Sequence, residues 1–337
     1  MRAVALLGPV AKEHVIRQFE LPGVNLFSGN ELDPTDEPEA ALIFGGDGTL
    51  HRHLGALAVK LAPTLIVPLG SANDFARSMG LETVAKALAA WKRFCAAGDN
   101  VRTIDLGTIE PLNETKDDAP LAWQDESLES LHFVPDGPRS DRPQMGGRIM
   151  QSQLRRRSEA ESERVRTMFY ASIAGTGLDA AVNRLTLRQP RWLRAHGGYV
   201  IALLRVLRGF QAPHVQVSVE ADGQWQERLD EPGFLIAVGN GPQYGHGMRL
   251  THEAQMDDGL LDLCFVRPLN KLRLLRLFRM VYRGGHIGMK EVEYFRASRV
   301  RIRTEPATEI FADGEPICMT PVQIGVRRSA LRVITAA

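Results

Sequence analysis

The chain has 337 residues, 44% hydrophobic and 24% charged. At about 150 residues per domain, that length suggests two domains. Forty-one Lys and Arg against 40 Asp and Glu leave a formal net charge of +1, which excludes a chain built throughout to bind polyanions. No window approaches the roughly 18 uninterrupted apolar residues of a membrane span. The apolar start, Met1 to Leu7, is too short for a signal peptide and reads as a first strand. Cys95, Cys264 and Cys318 are scattered and odd in number. They make no disulfide framework and fit a reducing cytosol.

In chain order, residues 3–8 form a short apolar strand and residues 11–19 a helix. An acidic loop follows through Glu31, Asp33, Asp36, Glu37 and Glu39. Residues 41–44 are a compact strand, 50–60 a helix, 64–68 a buried-type strand and 83–97 a helix. This alternation predicts a parallel α/β sheet of Rossmann-like type. From about residue 101 strands dominate, over 101–109, 168–174, 215–220, 234–238, 260–266, 300–303 and 322–326. Helices are expected near 191–208 and 271–282. This half reads as a β-sandwich domain. The polar segment 111–166, with Gly137-Pro138 and Arg155-Arg156-Arg157, fits neither pattern. It reads as a disordered insertion or as a docking loop.

Gly45-Gly46-Asp47-Gly48-Thr49 stands between the strand 41–44 and the next helix. Glycines at a strand-to-helix turn let backbone amides approach a ligand, and the helix N-terminus favours an anion such as phosphate. Asp47 is either a Mg²⁺-phosphate contact or a helix cap. A second turn of similar design, Pro68-Leu69-Gly70-Ser71-Ala72-Asn73-Asp74-Phe75-Ala76-Arg77, follows the strand 64–68. Ligands of open α/β sheets bind at this carboxyl edge, so two such turns favour a nucleotide-phosphate site.

Together GGDGT and PLGSANDFAR resemble the diacylglycerol kinase catalytic domain of bacterial lipid kinases, diacylglycerol kinases and sphingosine kinases. The stretches Gly239–Met248, Met256–Asp262 and Ala312-Asp313-Gly314-Glu315-Pro316 resemble later motifs of that family, in the same order. The resemblance implies an ATP-dependent kinase of lipid hydroxyls, with an N-terminal α/β domain (1–106) and a C-terminal β-sandwich domain (107–327). The active site would lie in the cleft between them, and residues 328–337 would return to the first domain. It assigns nucleotide contacts to Gly45, Gly46, Asp47, Gly48, Thr49 and Ser71, with Asn73 and Asp74 in the same turn. It assigns a Mg²⁺ site to Asp258 with the main-chain carbonyls of Gln255 and Leu260, and the general base to Glu315 or its neighbour Asp313. The implied substrate is diacylglycerol or a similar lipid alcohol. A homodimer is suggested by bacterial relatives.

The residues themselves leave alternatives open. Asp313-Gly314 is a strong hairpin signal and Asp257-Asp258-Gly259 also reads as a solvated turn. His51 stands where the family usually has Asn, Ser71 where Thr is commoner, and the first strand ends in Gly8-Pro9 without the usual Asn-Pro. His51 and His53 read as helix-surface or cleft residues, not metal ligands. From Asn270 to Tyr282 the sequence places Leu274, Leu275, Leu277, Phe278, Val281 and Tyr282 on one helix face. Arg273, Arg276, Arg279 and Arg283 fall on the other. That helix is either packed with a solvated basic face or is a peripheral contact with anionic membrane. Three readings result: a cytoplasmic, membrane-associating lipid kinase, a kinase of NAD or a soluble polyol, and a non-catalytic lipid- or nucleotide-binding protein. No nucleic-acid motif is present.

Overall fold

The computed structural model describes residues 1–29, 32, 37–112, 167–190, 198–243, 245 and 247–336. Most of the acidic loop (Glu31, Asp33, Asp36), almost all of the insertion 111–166, residues 191–197 of one expected helix, Tyr244, His246 and the side chain of Leu275 lie outside the described residues.

The first sheet begins with parallel strands β1 (Arg2–Leu7), β2 (Asn25–Gly29), β3 (Ala40–Gly45) and β4 (Thr64–Pro68), in the order β2-β1-β3-β4. Every residue of β3 and β4 is buried, as expected for parallel strands covered on both faces. Helices α1 (Glu13–Ile16), α2 (Asp47–Lys60), α3 (Asp74–Ser78) and α4 (Val84–Ala97) belong to this part. Helix α4 has Thr83 as N-cap, accepting from the Lys86 amide at 3.2 Å, and Gly98 at φ 68° as C-cap. Its buried Trp91 donates to the carbonyl of Phe19 at 3.0 Å.

The sheet continues through antiparallel strands. β5 (Val101–Pro111) pairs with β6 (Met168–Tyr170) and with the long β16 (Val322–Ile334). β16 also meets β4 in parallel at Val333 and Thr64, so the last strand runs from the antiparallel part into the α/β part. Strands β13 (Arg299–Glu305), β8 (His214–Ala221) and β9 (Gln224–Pro232) complete the row. The second sheet is antiparallel, in the order β12 (Val292–Ala297), β11 (Leu261–Val266), β10 (Leu235–Gly239), β7 (Ile173–Gly177), β14 (Glu309–Ala312), β15 (Glu315–Met319). Helices α5 (Leu178–Leu187), α6 (Gly198–Val206) and α7 (Lys271–Val281) cover it.

Alternation sorts the side chains of this second sheet. Ile236, Val238, Leu261, Leu263 and Phe265 point into the core shared with Val217, Val300 and Ile324 of the first sheet. Their neighbours Leu235, Ala237, Cys264 and Val266 join Leu274, Leu277 and Val281 of α7. Both faces are apolar because both are covered. An α/β sheet with a β-sandwich behind it is therefore the fold, as expected.

Several findings refine the predicted elements: the expected strand 168–174 divides into β6 and β7, which lie in different sheets, and β2, β12, β14 and β15 were not expected. Helix α5 was not expected. Its buried Leu178, Ala180 and Val182 run on directly from β7. The polar strand β9 was also missed, because at the sheet margin it buries Leu229 alone. β16 reaches Ile334, past the polar Arg327, Arg328 and Ser329, where the ladder with β5 shifts register and Ser329 has φ 50°. The predicted helix 11–19 is a single α-turn followed by a 3₁₀ turn at Arg17–Phe19. Leu331 of β16 is fully buried in the α/β core. Leu331→Ala should lower unfolding free energy by about 2–5 kcal/mol in a denaturant titration.

Candidate active site

The two glycine turns meet backbone to backbone. β3 and β4 run in register, Gly45 beside Pro68, so their turns leave the sheet together. A Cβ on Gly70 would lie 2.6 Å from the Cα of Gly46, and one on Gly46 would lie 2.8 Å from the Cα of Gly70. Only glycine permits that approach. Asn73, in the left-handed region at φ 52°, closes the second turn. Its Oδ1 accepts from the Gly70 amide at 2.9 Å and its Nδ2 donates to the Gly70 carbonyl at 2.8 Å.

Asp47 opens α2 and bonds across to the other turn. Its carboxylate accepts from the amides of Asp74 and Phe75, both at 3.1 Å, and so caps α3. Burial raises its pKa above the usual value, against the lowering effect of those two amides. Asp74 in turn accepts from the Gly247 amide at 3.0 Å, which ties the glycine-rich segment 239–248 to the same cluster. Thr49 is buried, and its hydroxyl occupies the space where a Cβ on Gly45 or on Gly8 would stand. Its amide donates to the Gly46 carbonyl at 2.9 Å. Gly46, Asp47 and Gly48 are partly exposed, and the first amides of α2 have no acceptor within the helix. Ser71 is exposed. This rim has the donors and the open backbone that a phosphate group requires.

The hairpin between β14 and β15 faces the first turns of α2. Asp313 has φ 50° and Gly314 φ 87°. The Asp313 carboxylate is almost fully buried and accepts from three consecutive amides, Ala171 at 2.7 Å, Ser172 at 2.9 Å and Ile173 at 3.3 Å. Its Oδ2 also lies 3.4 Å from Nδ1 of His51 on α2. Glu315 is exposed, and its Oε1 sits 2.9 Å from where a Cβ on Gly48 would be. One carboxylate of the pair is thus built into the hairpin. The other is free to touch a ligand lying on the α2 N-terminus. The phenol of Tyr170 is buried beside Asp313, and burial pushes its pKa well up. For His51, burial pulls the pKa down, but the hydrogen bond to Asp313 and the charges of Asp313 and Glu315 outweigh it and raise the value. His51 is the cleft residue of the two histidines and His53 is buried.

The acidic turn 256–262 is bonded differently. Asp258 Oδ1 accepts from the Leu260 amide at 3.0 Å, and Oδ2 is paired with the Arg296 guanidinium. Asp257 pairs with Arg102 at 2.8 Å. Gln255 is exposed and Leu260 partly so. Among the described residues no group of three or more His, Cys, Asp or Glu is arranged to hold a metal ion. The carboxylate that would serve Mg²⁺ already has an amide on one oxygen and an arginine on the other, so these residues do not fit the expected ion.

Sequence reasoning missed Asp105, the pairing of His51 with Asp313 and the part played by Arg296. Asp105 lies on β5 and accepts from the amides of Gly259 and Ser329, both at 2.7 Å. Their signal is long-range pairing, which no local spacing carries.

Residues 13–109 match the diacylglycerol kinase catalytic domain model, and residues 172–335 match the YegS C-terminal NAD kinase beta sandwich-like domain model. A diacylglycerol kinase of Mycobacterium tuberculosis is 28% identical over 301 residues, 88% of this chain and 76% of the relative. One of Bacillus subtilis is 23% identical over 317 residues, 92% and 76%. A crystal structure of a diacylglycerol kinase from Bacillus anthracis covers 99% of this chain and 96% of that one at a TM-score of 0.60 and 16% identity, and so shares the fold.

Two measurements check this geometry. Gly70→Ala should force the turns apart and cost about 1–3 kcal/mol of stability in a denaturant titration. His51 has a folded-state pKa above 6.5, so its pairing stabilises fully below that pH and the contribution fades as pH rises through the folded value. The stability difference between the parent and His51→Gln should therefore be largest in mild acid and shrink toward pH 8.

Proposed function

The chain belongs to the diacylglycerol kinase catalytic-domain family, and from that premise we propose that it is an ATP- and Mg²⁺-dependent lipid kinase acting on diacylglycerol or a similar lipid alcohol. The observation that carries the reading is the position of Glu315, whose carboxylate lies against Gly48 in the first turn of α2. A base placed at a phosphate-binding helix start can reach a hydroxyl that attacks the outermost phosphorus.

In this reading the amides of Gly46, Asp47 and Gly48, with the Ser71 hydroxyl, hold the phosphate chain. The lipid oxygen forms a bond to the γ-phosphorus, the bond from that phosphorus to the β-bridging oxygen breaks, and ADP leaves. Glu315 takes the hydroxyl proton. Asp313 holds the hairpin and His51 stands beside it. Thr49 and Asn73 shape the turns, and Asp47 with Asp74 locks them together. Mg²⁺ brought by the nucleotide would neutralise charge on the phosphates.

The lipid acceptor is supported by α6 and α7. Between them and the second sheet is an apolar cavity of about 50 Å³, lined by Leu178, Val182, Leu203, Leu235, Leu274 and Leu277. It would seat only part of an acyl chain unless one of the helices moves outward. On the outer surface Leu204, Ile201 and Tyr282 are exposed. Arg276, Arg279 and Arg283 are exposed too and have no acidic partner among the described residues. Such a surface suits anionic lipid, at about 1 kcal/mol per basic residue. No helix among the described residues is long and apolar enough to cross a membrane.

Glu315→Gln should reduce transfer from labelled ATP to diacylglycerol by about 10²- to 10⁴-fold with its melting temperature unchanged. Equal activity in parent and variant would remove Glu315 from the role of base. Arg276→Glu, Arg279→Glu and Arg283→Glu together should weaken cosedimentation with anionic vesicles by roughly a hundredfold or more, and unaltered binding would rule this surface out.

A further inference from the structure

We propose that Arg296, and not a divalent cation, supplies the positive charge that holds the acidic turn 256–262 of this chain. The turn carries three aspartates, Asp257, Asp258 and Asp262, and a metal ion is one way to offset them. Here each already has a partner. Arg296 extends from β12 across to β11, where it is in register with Asp262. Its Nε lies 3.4 Å from Asp262, and its terminal nitrogen donates to Asp258. Asp262 is completely buried and also accepts from the Tyr294 hydroxyl at 2.8 Å. That hydroxyl accepts in turn from the Glu253 amide at 3.2 Å.

Two further arginines flank the turn. Arg102 pairs with Asp257. Arg328 lies over Gly259, where a Cβ would come within 2.2 Å of its Nε. Gly259, at φ 74°, has its amide fixed by Asp105. Two arginines thus serve the three aspartates, Arg102 on Asp257 and Arg296 on both Asp258 and Asp262, before any ion is added.

The chemistry separates the two solutions. A divalent ion needs six or more oxygen ligands converging on one point. A guanidinium needs acceptors spread around a planar fork. Asp258 and Asp262 are arranged in the second way, bridged by one arginine, with the remaining acceptor positions given to the Leu260 amide and the Tyr294 hydroxyl. Any Mg²⁺ requirement of the reaction proposed above would then reside with the nucleotide alone. The present inference concerns folding and is tested without turnover.

The test compares melting temperatures of the full chain, without nucleotide, in EDTA and in millimolar MgCl₂, for the parent, Asp258→Asn and Arg296→Gln. A bound structural ion at a hundred times its dissociation constant would raise the melting temperature by several degrees. The expected result is that any Mg²⁺-induced shift is the same in the parent and in Asp258→Asn, and that Arg296→Gln melts lower than the parent in EDTA. A Mg²⁺-induced rise in the parent that Asp258→Asn abolishes would overturn the proposal. So would an Arg296→Gln variant that melts with the parent in EDTA. Should Arg296→Gln fail to fold, Mn²⁺ binding to the parent and to Asp258→Asn, read by electron paramagnetic resonance, decides the matter. Loss of a bound ion in Asp258→Asn contradicts the proposal, and equal binding supports it.

Discussion

The Asp313 carboxylate is the joint on which the site depends. It is buried, and it accepts from three successive amides, those of Ala171 and Ser172 in the link between β6 and β7 and that of Ile173 at the start of β7. Hydrogen bonds to a charged acceptor in a low-dielectric setting are the strong kind. They hold the β14–β15 hairpin in one place although Asp313 itself sits at a positive φ. Glu315, two residues on, inherits that position and comes to lie on Gly48. Removing the side chain at Gly48 makes the room, and fixing Asp313 keeps the occupant there.

The same division of labour recurs on the phosphate side. Asp47 and Asp74 look in sequence like ligands for a metal or a phosphate. In the fold they spend their carboxylates on backbone amides, Asp47 on Asp74 and Phe75, Asp74 on Gly247. They bring three chain segments to one rim. The groups left to meet a ligand are mostly main-chain amides of the glycine turn. An invariant geometry of donors suits phosphoryl transfer, which rests chiefly on positioning and charge.

How much of this could be read from the sequence follows the range of each interaction. The turns at 45–49 and 68–77 were legible because strand, glycines and helix start are contiguous. So were the alternating sheet and the basic helix, whose cap Asn270 does accept from Arg273 at 2.9 Å. Strand β9 was not, since an edge strand that buries Leu229 alone has no alternating apolar pattern. The turn at Asp313-Gly314 was legible, but what the carboxylates of Asp313 and Asp258 bond to was not. Each is decided by partners more than 30 residues away, Ala171 to Ile173 for one and Arg296 for the other. Asp258 illustrates the point most clearly. A motif read alone suggests an ion, and an arginine 38 residues downstream occupies its oxygen instead.

The central claim is that the two glycine turns and the Asp313–Glu315 hairpin form a phosphoryl-transfer site for a lipid hydroxyl. It is tested most directly by following label from γ-labelled ATP. The acceptors would be a panel of dispersed lipid alcohols, set beside NAD and glycerol as soluble controls. The account predicts label in a lipid phosphate monoester and none in the soluble acceptors. Label in NAD or glycerol, or in no acceptor at all, would contradict it.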